Sequence, residues 1–452
     1  MLSLIPKQFV KGLSISAIEM LLAFSIGLLS SIILARYIDV EDFGFYLFFN
    51  SIALLIFRFS ALGLEVEIQR LSGCSVHIYK EILKLITLNI IVTIVLCIFC
   101  VSALTLIDWT SHNILFFIII AFTHLLSSNV GMLLAIFARE KNFAFISIMQ
   151  ISRVSLNLIF ITIFIKMELG IYVLALPQLI TSAAAFLYLL IKVDFRPLLT
   201  WSYLNTQRFR YTMQSFLEEC HNKLPDVSFG IIFSLETVAY FGRANGLVTQ
   251  LYQLVSTLFH RVAFPFNAQD DIIQSQRVVL TQYIALKFLY LPGLLFVGIS
   301  LPKVIEVLYG TKWLPAVEYI QYLLPIAFLH PLYQQFKTHL VATNKVAKVN
   351  KVELFRLFFI VIGFILAYIT NSEVPVFITI FATSYIGCIY YTLDNICRVL
   401  CIKKNLFIVL VLFDTSFVYL NYSIFSFFMF LAMYKFFEGF LYVFTLRKRY
   451  DD

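Results

Sequence analysis

Thr212-Met213-Gln214-Ser215-Phe216-Leu217-Glu218-Glu219-Cys220-His221-Asn222-Lys223-Leu224-Pro225-Asp226-Val227-Ser228-Phe229-Gly230-Ile231-Ile232-Phe233 has the length and apolar character of a membrane helix, yet it carries charges inside it. A second apolar run follows as far as Arg261 and holds Arg243. An ionisable group in hydrocarbon costs from about 2.5 to about 17 kcal/mol, depending on how it is measured, and is therefore paired or turned toward an aqueous cavity. Glu219, Lys223 and Asp226 stand at i, i+4 and i+7, which places them on one helical face. That face is expected to look onto a polar cavity.

Composition sets the class. The 452 residues are 61% hydrophobic and 17% aromatic but only 13% charged, against roughly a quarter charged in soluble domains. This is the profile of an all-α polytopic membrane protein. Seven cysteines lie mostly in apolar segments with no metal-ligand or secreted-disulfide spacing, so they read as buried thiols. There is no phosphate-binding Walker loop, no HExxH, no CxxC and no nucleophile elbow.

Apolar runs long enough to cross a bilayer fall at 13–35, 43–63, 82–107, 114–137, 143–165, 170–191, 211–234, 237–262, 279–301, 315–337, 351–370, 374–397, 405–421 and 424–446. The expectation is thus about 14 transmembrane helices, with 12 to 14 as the range. Lys and Arg in the connections set containing both termini number 23, against four (Arg36, Lys166, Lys303 and Lys312) in the other set. The positive-inside rule then puts both termini in the cytoplasm. The net charge of +8 is mainly this topology signal, with attraction to anionic membrane lipids as a second effect; nucleic acid is not an expected partner. Connections are short, which disfavours an enzyme working on a soluble face.

Ile38-Asp39-Val40-Glu41-Asp42-Phe43-Gly44-Phe45-Tyr46 is echoed by Ser234-Leu235-Glu236-Thr237-Val238-Ala239-Tyr240-Phe241. Each is an acidic outer connection leading into an aromatic, small-residue helix start. Recurrence after about 195 residues fits two parallel six-helix repeats. The resulting division is a bundle over 1–192, a cytoplasmic linker over 193–210, a second bundle over 211–401, and two further helices with a basic tail over 402–452.

The first of these segments, with Ile33-Leu34-Ala35-Arg36-Tyr37 before it, resembles the opening of Wzx-type O-antigen flippases, the polysaccharide-biosynthesis branch of the multidrug/oligosaccharidyl-lipid/polysaccharide (MOP) exporter superfamily. Asp226, the run from Glu236 to Ala244, and Val304-Ile305-Glu306-Val307-Leu308-Tyr309-Gly310-Thr311-Lys312-Trp313-Leu314-Pro315-Ala316 are similar to that family's seventh to tenth helices. The resemblance touches about two-thirds of the chain. It implies two six-helix bundles around a central cavity, alternating access, and passage of an undecaprenyl-diphosphate-linked oligosaccharide to the outer leaflet. It also implies a bacterial inner-membrane location, a proton or sodium gradient with no cofactor, and a polysaccharide polymerase and chain-length regulator as further partners. Glu218-Glu219-Cys220-His221 departs from the family pattern, so any role for it rests on physical argument alone.

Four cations are candidates for the substrate's diphosphate. Arg153 has Ser152, Ser155 and Asn157 nearby; Lys223 and Arg243 enter the outer halves of their helices from opposite directions; Arg58 lies near a cytoplasmic end. A guanidinium donates two parallel hydrogen bonds to phosphate. The carboxylates Glu218, Glu219, Asp226 and Glu19 are candidates for ion coupling, since a poorly hydrated carboxyl can load and release a proton between two access states. Structural readings compete: a Glu19–Arg58 bridge, an Asp226–Arg243 bridge, and His221 as an ordinary polar contact. Pro177, Pro292, Pro325 and Pro331 are expected to interrupt helices. The rival functions are a membrane polysaccharide polymerase or ligase, disfavoured by short and cation-poor outer loops, and a cation-coupled drug exporter of the same superfamily.

Overall fold

The computed structural model describes residues 7–60, scattered positions from 87 to 102, and 111–139, 142–193, 206–267, 290–342 and 346–392. Among them every regular element is helical. In chain order these are α1 (Lys7–Tyr37), α2 (Val40–Ser60), α3 (Ser111–Arg139), α4 (Phe143–Lys166), α5 (Leu176–Val193), α6 (Thr206–Ile232), α7 (Leu235–Asn267), α8 (Leu291–Tyr309), α9 (Ala316–Ala342), α10 (Val346–Thr370) and α11 (Val374–Thr392). The expected spans 405–421 and 424–446, and most of 82–107, lie outside the described residues.

Local chemistry explains where these helices begin and end. Glu41 and Asp42 occupy the first turn of α2, and Glu236 the first turn of α7, where carboxylates offset the positive helix end. Asn142 caps α4 by accepting from the Phe145 amide at 3.3 Å. Gly310 ends α8 with φ +94°, its amide donating to the Ile305 and Glu306 carbonyls. Only glycine takes that backbone without strain, and a short 3-10 turn, Thr311–Trp313, then leads into α9.

The prolines divide by position. Pro177 sits in the first turn of α5, where its missing N–H costs nothing, so it starts that helix and does not interrupt it; Pro292 is the second residue of α8, and the residues before Tyr290 lie outside the described ones. Pro325 and Pro331 are inside α9 as expected, and Pro225 and Pro302 are interior prolines of α6 and α8.

Seven described helical segments are long and apolar enough to cross a membrane: Ile18–Tyr37, Val40–Phe57, Asn113–Ala138, Phe143–Lys166, Gly170–Val193, Pro292–Tyr309 and Ala347–Thr370. The protein is a multi-pass, all-α membrane protein. Neither α6 nor α7 is among those seven, because their polar and charged residues lower the apolar content along the length of the helix.

The chain forms two compact units. The first comprises Met1–Gly242 and Val346–Leu357, the second Arg243–Lys345 and Phe358–Asp452. In the first, α1 packs on α4, α2 on α6, and α3 on α5. Its apolar core runs along α3 from Val130 to Phe137 and meets Ala185, Leu189 and Val193 of α5. Rings of Phe45, Tyr46, Phe49 and Phe116 gather where α2 meets α3. In the second unit α9 packs on α11, with the Tyr322 ring stacked on Phe377 at 5.0 Å between centroids.

Gly44 fixes how α2 meets the start of α7. A side chain there would collide with the Leu235 carbonyl, and its Cβ would also stand 3.3 Å from the Ala239 amide nitrogen. The two echoing segments therefore touch, and aligning Glu41 with Glu236 makes Gly44 and Ala239 equivalent positions.

Candidate functional site

The charged face of α6 is organised by Asp226. Its side chain is 2% exposed; Oδ2 accepts a hydrogen bond from Ser51 Oγ at 2.7 Å and lies 3.6 Å from Lys223 Nζ. Oδ1 is buried and has no hydrogen-bond partner among the described residues. Ser51 reaches it because α2 and α6 pack closely: Gly230 of α6 receives the Phe48 ring and Gly242, early in α7, receives Leu47. Next to Ser51 in the sequence, Asn50 has its Oδ1 2.9 Å from His124 Nε2 of α3. Lys223 is within electrostatic reach of that imidazole. Three helices thus converge on a polar group made of Asn50, Ser51, His124, Lys223 and Asp226.

A second buried group lies where α6 meets the first turns of α10. Glu353 is 1% exposed. Its Oε2 accepts from Arg356 Nη1 at 3.0 Å and is 3.5 Å from His221 Nδ1. The same imidazole nitrogen is 2.8 Å from the Leu217 carbonyl. Glu218 is within electrostatic reach of Glu353. His221 is thus tied to a carboxylate, a relation that the sequence around it does not reveal.

Arg243 has a different setting. Its guanidinium carbon lies 5.0 Å from the Tyr309 ring centroid and 4.7 Å from that of Trp313, and both rings are fully buried. Cation–π attraction of this kind reaches about 2 kcal/mol or more when desolvated. Asp226 is held by Ser51 and Lys223, and the Arg243 guanidinium lies over aromatic rings.

The remaining candidates fall elsewhere. Glu19 accepts from Ser147 Oγ at 3.2 Å, which joins α1 to α4. Arg58 belongs to α2, but its side chain lies outside the described residues, as does any bridge it makes to Glu19. Arg153 is part-buried on α4, and no described residue gives it a hydrogen bond or ion pair. Asn157, one turn further along the same face, has a buried Oδ1 without a partner among the described residues. Glu218 and Glu219 are part-buried. Residues that sequence reasoning passed over are Asn50, Ser51, His124, Glu353 and Arg356; only the Glu353/Arg356 spacing of i, i+3 left a readable trace.

The helices bury paired charges, and their fold is shared with exporters of the MOP superfamily. The MATE multidrug transporter DinF-BH matches with a TM-score of 0.64 at 17% identity, over 88% of this chain and 98% of that one. An outward-facing MATE family transporter of the MOP superfamily matches with 0.59 at 15% identity, over 86% and 95%. A mutant of the Vibrio cholerae MATE transporter VcmN matches with 0.57 at 13%, over 85% and 96%. At these identities the likeness is one of fold. No curated protein sequence matches the chain. Residues 33–318 match the model of the polysaccharide biosynthesis protein family, well over half of the chain, and the protein belongs to that family.

Proposed function

We propose that the protein flips an undecaprenyl-diphosphate-linked oligosaccharide, an O-antigen repeat unit or a related surface-polysaccharide precursor, from the cytoplasmic to the periplasmic leaflet of a bacterial inner membrane. The observation that carries this reading is the combination of a polysaccharide-biosynthesis family match over 33–318 with the fold of an exporter. Such a family needs a way to move hydrophilic precursors across a bilayer, and an exporter fold supplies it. In this reading the sugar travels in a hydrated space while the polyprenyl tail stays in lipid. Arg153 and Lys223 meet the diphosphate, the bundles over 1–192 and 211–401 alternate in access, and a proton or sodium gradient biases the cycle. A polysaccharide polymerase and a chain-length regulator would take the product onward.

The test is movement of a radiolabelled undecaprenyl-diphosphate oligosaccharide in proteoliposomes. Transfer by wild type, lost in correctly inserted Arg153→Ala, supports the reading and that cation. No transfer with any bacterial repeat unit tried overturns it. Drug export is the second reading, favoured by the multidrug transporters among the structural matches; uptake of a fluorescent cationic dye in the same vesicles, with no lipid transfer, would establish it.

A further inference from the structure

Lys223 and Asp226 are not equivalent partners. The ammonium-bearing side chain is 23% exposed while the carboxylate-bearing one is 2% exposed. Of the pair, Lys223 is the partner that can be reached and Asp226 the one that is enclosed. Ser51 holds the same oxygen from α2 at 2.7 Å, and Asn50 and His124 are bonded to each other beside it. Oδ1 is buried without a hydrogen-bond partner among the described residues, and Gly242 of α7, close to it, has no side chain; a Cβ there would come to 3.9 Å.

A buried carboxylate needs a compensating positive charge, and leaving one without it costs several kcal/mol. In the structure Lys223 is that charge. A lysine on a flexible four-carbon stem can reorient among acceptors, and a diphosphate is the stronger attractor for an ammonium. When Lys223 turns to a diphosphate, Asp226 must acquire another cation.

We propose that Lys223 is a tethered counter-ion that makes cation binding at Asp226 conditional on the diphosphate of the lipid substrate. This inference rests on the flippase reading. With no substrate bound, Lys223 neutralises Asp226 and no outside cation is admitted. With substrate bound, the ammonium pairs with a phosphate oxygen, and a small monovalent cation, a proton or a sodium ion, takes its place on Asp226 between Oδ1 and the Ser51-bonded Oδ2. Local charge stays balanced in both states. One substrate thereby admits one ion, which is the accounting that coupled transport needs.

The test uses full-length wild type, Lys223→Met, Lys223→Arg and Asp226→Asn in proteoliposomes of neutral lipid, with and without bare undecaprenyl diphosphate. Uptake of 22Na+ and of protons, the latter by an enclosed pH dye, is read separately, so the arms tell the two cations apart. Wild type should take up its ion only when the diphosphate lipid is present. Lys223→Met should take it up without the lipid, at least about tenfold above wild type under the same condition, a factor that corresponds to about 1.4 kcal/mol. Lys223→Arg should restore dependence on the lipid, which shows that the methionine variant is folded and only lacks the charge. Asp226→Asn should take up neither ion in either condition.

Lipid-independent uptake that is the same in Lys223→Met and wild type overturns the proposal, as does lipid-dependent uptake that survives in Asp226→Asn. If wild type flips the labelled oligosaccharide but moves neither ion, the tethered counter-ion fails and the flippase stands. If wild type flips nothing, the functional reading itself has failed.

Discussion

Arg243 shows how much a charged residue's role depends on what it touches. Set over Tyr309 and Trp313, it contributes packing and cation–π attraction in one compact unit, with the guanidinium plane matching flat rings as a lysine ammonium does not. Arg243→Ala is expected to lower stability by about 2 kcal/mol or more, visible as a drop in the thermal midpoint in detergent. Trp313→Leu should produce a similar loss, and the double variant should lose less than the sum of the two, because the residues share one interaction. Independent, additive losses would show that the stacking is incidental. Glu353 belongs to the opposite category. Arg356 and His221 converge on a carboxylate that is almost wholly buried, so Glu353→Ala leaves buried positive charge uncompensated and should cost about 3 to 5 kcal/mol. Glu353→Ala combined with Arg356→Met should recover part of that loss in the same thermal assay; no recovery would mean that Arg356 is compensated from elsewhere.

At the level of helices, the contact between α2 and α7 rests on one missing side chain. Gly44→Ala places a methyl group against the Leu235 carbonyl, backbone that cannot turn aside as a side chain can. Overpacking of this kind costs about 1–3 kcal/mol, so the variant should show reduced folded yield and a lower thermal midpoint. Gly27→Ala in α1 is the control: nothing stands within 4 Å of the added Cβ, and alanine is the better helix former by about 1 kcal/mol. A Gly44→Ala protein as stable as the Gly27→Ala protein would remove the close approach from the account. The sequence showed the two segments that meet here as an echo, since acidic residues at a helix start and the small residue after them are local signals. It did not show that they touch, because contact between residues about 195 apart has no periodicity to betray it. The same limit governs the site. The spacing of Lys223 and Asp226 on one face was legible, and the structure pairs them. Ser51, Asn50 and His124 were not, since hydroxyls, amides and imidazoles inside apolar helices carry no mark of which neighbour they will meet. Pro177 starts α5 where an interruption was expected, because proline signals a break in a helix without saying whether the helix lies before or after it.

For the molecule as a whole, the distribution of charge makes a prediction about sidedness. Of the 27 Lys and Arg residues assigned to connections, only Arg36, Lys166, Lys303 and Lys312 fall in the set placed outside, a bias of the kind that sets orientation during insertion. The structure supplies exposed reporters for both sets. Thr311 is exposed in the turn that joins α8 to α9, and Lys348 is exposed in the first turn of α10. These connections are separated by one helix, α9, of 27 residues, about 40 Å at 1.5 Å per residue, enough to place its two ends on opposite sides of the bilayer. In a background whose native cysteines are replaced by serine or alanine, Thr311→Cys should react with a membrane-impermeant maleimide on intact spheroplasts. Lys348→Cys should react only after the membrane is opened. The reverse pattern would invert the topology and with it the direction of transport inferred from it. Labelling of both from one side would mean that α9, which carries Pro325 and Pro331 inside it, does not cross the bilayer, and the helix count of the second half would have to fall with it.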